Sequence, residues 1–246
     1  MKITLVNPYE LGRQPFGLAE PAAFLKRDGH AVTCCDLSIQ KLDDCLSADT
    51  RIVAIYIAMH TATRIAIEAL PKIKQLAPNA SLCVYGLYAP MNADLFRSLG
   101  VMTVIGGEFE YGLCDMTRRI QSGEGEQQTE AEIRLDKIQF IAPDRDTLPA
   151  LSRYAQLINT DGSTQTVGFS ETTRGCKYLC RHCPVVPVYQ GKFYVIPADI
   201  VLDDIRAQIK AGATHISFGD PDFFNGPGHA LRIVRALHDE FPDISY

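Results

Sequence analysis

Short apolar runs alternate with amphipathic stretches along the first half of the chain. Lys2 to Val6, Ala31 to Asp36 and Arg51 to Met59 read as strands, and so do Ser81 to Tyr85 and Met102 to Ile105. Gly17 to Arg27 and Thr63 to Gln75 carry helical periodicity, and a helix follows each of the last two strands. Strands that alternate with helices every ~20 to 30 residues imply parallel strands joined by right-handed crossovers. The expected fold class is therefore α/β, with an N-terminal doubly wound, Rossmann-like parallel sheet over residues 1–121. Ligands of such sheets bind beyond the carboxyl ends of the strands. There the chain has Asn7-Pro8, Gly86-Leu87-Tyr88-Ala89-Pro90 and Gly106-Gly107-Glu108.

The pattern then changes. Ser122 to Gln128 is polar and glycine-rich, as a linker is, and Ile138 to Pro143 reads as a short strand. Residues 122–165 form a bridge in this reading, and residues 166–246 open a second domain. Val167 to Ser170 is strand-like. Pro197 to Gly212 reads as a helix, with Pro197 at its start, an apolar stripe of Val201, Ile205 and Ile209, and Gly212 at its end. His215 to Phe218 is the next strand, and a helix opens at Gly226 and runs through Leu237.

Composition removes several function classes. With 46% hydrophobic and 22% charged residues the chain is globular in balance, and its net charge of -5 comes without a basic patch, against a nucleic-acid partner. The longest apolar runs fall far short of the roughly 20 residues that cross a bilayer, against membrane insertion. Met1-Lys2 leads directly into a strand pattern without a signal peptide, so a reducing cytoplasm is the expected location.

Chemistry concentrates in the cysteines. Of eight, Cys34, Cys35, Cys45, Cys83 and Cys114 lack ligand spacing, and those in apolar runs are expected to behave as small buried hydrophobes. Cys176, Cys180 and Cys183 stand at Cys-x3-Cys-x2-Cys within Thr173-Arg174-Gly175-Cys176-Lys177-Tyr178-Leu179-Cys180-Arg181-His182-Cys183-Pro184. Three thiolates on one short loop can converge on one inorganic centre, whereas a fully ligated four-iron cluster or a structural zinc takes four protein ligands. One position is left open for chemistry on a small molecule. A zinc site would need His182 as fourth ligand, yet His182 adjoins Cys183 and neighbouring residues rarely aim at one metal. A disulfide with a spare thiol is a further alternative.

The three-cysteine spacing, after an apolar strand and before a helical pattern, resembles the radical S-adenosylmethionine superfamily. The resemblance implies that Cys176, Cys180 and Cys183 hold three irons of a [4Fe-4S] cluster. The fourth iron would take the amino and carboxylate groups of S-adenosylmethionine, whose reductive cleavage usually yields a 5'-deoxyadenosyl radical. Where the superfamily commonly has an aromatic residue before the last cysteine, this chain has His182. Gly219-Asp220-Pro221 falls where the superfamily carries the motif that contacts the amino group of S-adenosylmethionine, and an anion there is chemically apt because an ammonium needs acceptors. Asp220-Pro221 also reads simply as a turn starter.

Residues 1–121 resemble the cobalamin-binding domain that often precedes such barrels, through Asn7-Pro8, the Gly86 loop and Val104-Ile105-Gly106-Gly107-Glu108-Phe109-Glu110. Asp146-Thr147-Leu148-Pro149 resembles the run that bridges the two domains. The Asp-x-His-x-x-Gly motif that supplies a cobalt ligand in many cobalamin proteins is absent, and His60 is the one histidine placed at the ligand edge. The domain either binds cobalamin or binds nothing. More narrowly, Cys180 to Gly191 and Phe218 to Phe223 resemble the radical proteins named for a CUAEP or CCAEP tail, and no such tail is present.

The resemblance implies an enzyme acting on a small molecule with electrons from a donor such as flavodoxin or ferredoxin. With cobalamin the implied chemistry is methyl or alkyl transfer; without it, aminocarboxypropyl transfer or hydrogen abstraction. Rival readings are a non-catalytic iron-sulfur or zinc module, and a nucleotide- or flavin-binding domain with incidental cysteines. A partial (β/α)6 barrel of units of about 30 residues needs roughly 180. Fewer than half that number lie between Thr166 and Tyr246, so the chain is expected to be a fragment that stops before its barrel closes.

Overall fold

A computed structural model describes residues 1–124 and 132–246, so Gly125 to Gln128 of the expected linker lie outside the described residues. The chain divides into two compact units. Unit one comprises Met1–Glu10, Gly17–Ile138 and Pro143–Leu148; unit two comprises Leu11–Phe16, Gln139–Ala142 and Pro149–Tyr246.

Six strands build unit one: β1 (Lys2–Asn7), β2 (Ala31–Asp36), β3 (Ile52–Tyr56), β4 (Ser81–Tyr85), β5 (Thr103–Gly107) and β6 (Glu132–Arg134). They form one sheet in the order β2-β1-β3-β4-β5-β6, parallel throughout. Its helices are α1 (Phe16–Arg27), α2 (Leu42–Cys45), α3 (His60–Leu76), α4 (Ala93–Ser98) and α5 (Phe109–Ser122). A parallel sheet covered on both faces needs strands that are apolar nearly throughout, which is why Ile52-Val53-Ala54-Ile55 carries no polar alternation. Val6, Ile55, Val84 and Val104 pack with Leu70, Ile73 and Phe96 in one buried cluster. Each such side chain contributes ~1.5–3 kcal/mol by leaving water. The strand order places a topological switch point at the carboxyl ends of β1 and β3.

The expected strand at Ile138 to Pro143 does not form. Ile138 and Phe140 bury their side chains, which mimics strand alternation, but their backbone joins no ladder. The strand of this region is β6, a short charged segment with no apolar run to announce it. It holds through its ladder with β5, through the Glu108 N–H donating to the Arg134 carbonyl (2.8 Å), and through the Arg134 ion pair with Asp115 on α5.

Unit two contains β7 (Gln156–Ile158), β8 (Thr164–Ser170), β9 (Thr173–Gly175), α6 (Val186–Tyr189), β10 (Phe193–Val195), α7 (Ala198–Lys210), β11 (His215–Phe218) and α8 (Pro227–Glu240). β11 lies parallel to β8, joined by α7, and β7 flanks β8 antiparallel; β9 and β10 form a separate antiparallel pair. Two strand-helix units, β8–α7 and β11–α8, are thus present.

The buried face of α7 is Val201, Asp204, Ile205 and Gln208, not the expected stripe ending at Ile209. Gln208 Oε1 accepts the Phe169 N–H (2.7 Å) while its Nε2 donates to Asp204 Oδ2 (3.0 Å), and Ser170 Oγ donates to the same oxygen (2.8 Å). This polar set fastens the carboxyl end of β8 beneath the cysteine loop. Among the described residues no helix is long and apolar enough to cross a membrane.

Candidate metal centre

The cysteine loop is closed at its base by a ladder. Thr173, Arg174 and Gly175 of β9 pair with Val195, Tyr194 and Phe193 of β10, and everything from Cys176 to Lys192 loops out between them. Gly175 has φ +71°, and a Cβ there would lie 2.5 Å from both the Lys192 carbonyl oxygen and the Tyr189 ring. Only glycine satisfies both the backbone angle and the close approach.

Cys176, directly after this glycine, is buried; Cys180 is exposed and Cys183 half-buried. The Cys183 N–H donates to the Cys180 carbonyl (3.1 Å), so these two share one tight turn, on which His182 is exposed. All three thiols are free. The turn brings Cys180 and Cys183 onto one short segment, but among the described residues no three His, Cys, Asp or Glu side chains converge closely enough to hold a metal ion as they stand.

Arg174, one position before the glycine, is buried. Its guanidinium lies 3.7 Å from the Glu171 carboxylate and faces the Phe16 and Phe140 rings at 6.0 and 5.7 Å. Burial lowers its pKa to about 10, which leaves it charged at neutral pH.

Gly219-Asp220-Pro221 follows β11. The Gly219 N–H donates to the Ser170 carbonyl (2.9 Å), and a Cβ on Gly219 would lie 2.0 Å from the Phe169 ring, so the missing side chain lets that ring rest on the backbone. The Asp220 carboxylate turns toward the cysteine loop: Oδ1 accepts the hydroxyls of Thr172 (2.7 Å) and Thr173 (2.6 Å), and the Thr172 N–H is shared between Oδ1 and Oδ2. Pro221 is exposed beside it. Thr172, Thr173, Asp204, Gln208 and Asn225 carry no motif, and the spacing of the cysteines gives no sign of them.

On the face of β8 and β11 that points away from α7, a cavity of ≈ 180 Å³ is lined by Arg13, Tyr154, Phe169, His215 and Ser217 among others. The Arg13 guanidinium stacks on the Phe169 ring at 4.8 Å, and His215 Nδ1 lies 2.8 Å from Ser245 Oγ. Burial lowers the His215 pKa.

The donor set has the chemistry of iron-sulfur ligands: three free thiols on one loop closed at its base by β9 and β10. Asp220 fits an ammonium, since Oδ2 accepts only a shared N–H and a carboxylate has about four acceptor sites. The carboxyl edge of the first sheet fits cobalamin less well. The Tyr56 ring closes the crevice, packed with Tyr85 and Phe109 at centroid distances of 5.4 and 6.0 Å, and Cβ atoms on Gly17 or Gly86 would lie 2.3 and 2.8 Å from it. As it stands this edge is filled by the chain's own side chains. His60 is exposed in the first turn of α3.

The chain thus combines a doubly wound α/β unit with strand-helix units that adjoin a three-cysteine loop. The comparisons agree at the level of fold. Two structures of TsrM, a radical S-adenosylmethionine methyltransferase from Kitasatospora setae, match 99% of this chain at TM-score 0.71 and 18% identity. One has cobalamin and a [4Fe-4S] cluster bound, the other tryptophan substrate and the analogue aza-SAM. The chain covers 52% of that protein, about half its length. No protein-family model and no curated relative matches the chain.

Proposed function

We propose that this chain is the cofactor-holding portion of a radical S-adenosylmethionine enzyme. Cys176, Cys180 and Cys183 are its cluster ligands, and Gly219, Asp220 and Pro221 form the edge of its S-adenosylmethionine site. The observation that carries this reading is the loop Cys176–Lys192, closed by β9 and β10 and set on a parallel β8–α7–β11 unit whose fold is shared with a radical S-adenosylmethionine methyltransferase. A bound [4Fe-4S] cluster would supply the electron that cleaves a carbon-sulfur bond of S-adenosylmethionine.

The chain's own residues do the holding. Gly175 lets the loop turn tightly enough to present Cys176, and Asp220 offers Oδ2 to the methionine ammonium. The cavity over β8 and β11 holds part of a small-molecule substrate, with Arg13 and His215 as its polar groups. Electrons come from a carrier such as flavodoxin or ferredoxin in the cytoplasm. The reaction is transfer of a methyl or alkyl group if Tyr56 yields its crevice to cobalamin, and otherwise hydrogen abstraction or aminocarboxypropyl transfer.

The test is anaerobic reconstitution with iron and sulfide, then electron paramagnetic resonance of the dithionite-reduced protein with and without S-adenosylmethionine. A [4Fe-4S] signal that shifts with S-adenosylmethionine and disappears in Cys180→Ala is expected. Zinc in place of iron, or a signal indifferent to S-adenosylmethionine, would leave a non-catalytic metal module instead.

A further inference from the structure

Asn225 ends the short turn Phe223–Asn225 between β11 and α8 and is 3% exposed. Its side chain lies across Cys176. Nδ2 donates to the Gly175 carbonyl (3.1 Å) and Oδ1 accepts the Lys177 N–H (3.1 Å), so one carboxamide holds the peptide groups on both sides of that cysteine. Lys177 Nζ returns a hydrogen bond to the Asn225 carbonyl (3.0 Å). The turn is itself secured: Asp222 Oδ1 accepts the Phe224 N–H (2.9 Å) and the Asp222 carbonyl accepts the Asn225 N–H (3.0 Å). The amide orientation is unambiguous, because a backbone carbonyl can only accept and a backbone N–H can only donate.

We propose that Asn225 is a positioning residue for Cys176, an amide clamp that sets the direction of the first cluster ligand before any metal arrives. This rests on the cluster reading above. Cys176 is the one buried thiol of the three, and the peptide groups on both of its sides are bound by a side chain from outside the loop. The task demands a donor and an acceptor on one short planar side chain. Aspartate lacks the donor, glutamine is a methylene too long, and alanine has neither group. Groups that orient metal ligands typically change metal affinity by ~10- to 100-fold when removed.

The experiment compares the full chain with Asn225→Ala and Asn225→Asp, using Phe224→Ala, whose side chain is exposed in the same turn, as control. Each is reconstituted anaerobically with iron and sulfide, and the loss of iron to an excess of bathophenanthroline is timed. Near-ultraviolet circular dichroism of the metal-free proteins reports whether the fold is kept; Asn225→Asp, nearly the same shape, serves if the alanine variant misfolds. Both Asn225 variants are expected to lose iron about tenfold faster or more, with an altered resonance line shape, while Phe224→Ala matches the wild type. Wild-type loss rates and line shape in well-folded Asn225 variants overturn the clamp and leave the cluster reading intact. A wild-type chain that assembles no [4Fe-4S] cluster overturns both.

Discussion

The Asp220 carboxylate accepts both the hydroxyl and the N–H of Thr172, at 2.7 and 3.1 Å, and so ties the end of β11 to the approach of the cysteine loop. Asp220 therefore has a structural duty besides the S-adenosylmethionine contact proposed for it. Asp220→Ala strands an N–H and two hydroxyls. It is expected to cost roughly 1–3 kcal/mol, read as a lower urea midpoint at unchanged slope. Asp220→Asn keeps the shape and should cost less. An unchanged midpoint in Asp220→Ala would show that water replaces these bonds without loss.

The eight thiols should separate by reactivity. Burial pushes the Cys34 and Cys114 thiols up to about 12, and a hydrogen bond with Cys45 together with burial pushes Cys35 up as well. Because the thiolate is the nucleophile, iodoacetamide at pH 8 is expected to label the exposed Cys180 first, and to reach the buried Cys34, Cys35 and Cys114 only after unfolding. Mass spectrometry of the labelled peptides checks this. Early labelling of Cys34 or Cys114 would contradict their burial.

The same shifts set an alkaline limit. A thiol whose pKa is higher in the folded chain stabilises the fold fully below its unfolded value and loses that contribution as pH rises toward the folded one. For Cys34 and Cys114 the window runs from 9.0 to about 12. Melting temperature should therefore fall above pH 9. Replacing both residues with alanine, although it costs stability overall, should flatten that fall.

The Tyr56 ring packs between two glycines, Gly17 and Gly86, at the first sheet's carboxyl edge. A corrin cofactor, if it takes the edge proposed for it, would displace that ring. Tyr56→Ala is expected to bind hydroxocobalamin more tightly than the wild type, by about tenfold or more, since the wild type must first populate an open state. An absorbance titration of both proteins reads this directly. Equal affinities would mean that the ring is no barrier.

Much of the doubly wound sheet was legible because its signals are local. β2 and β4 have the bounds that the apolar runs suggest, Ala31–Asp36 and Ser81–Tyr85, since a buried parallel strand must be apolar residue after residue. β6 was hidden because Glu132-Ile133-Arg134 is held by a ladder and ion pairs instead of burial. On α7, Asp204 and Gln208 are polar and give no hydrophobic signal, yet they lie at helical spacing with Val201 and Ile205 and face inward, where they satisfy β8.

The alternation of strands and helices and the spacing of Cys176, Cys180 and Cys183 are properties of the sequence alone, because periodicity and ligand spacing act over a few residues. What holds those cysteines was decided only by the tertiary structure. Asp220 stands 48 residues beyond Thr172, and Asn225 stands 50 beyond Gly175. A hydrogen bond across that distance leaves no periodic trace, and it forms only because β11 lies parallel to β8 and carries both side chains to the mouth of the loop.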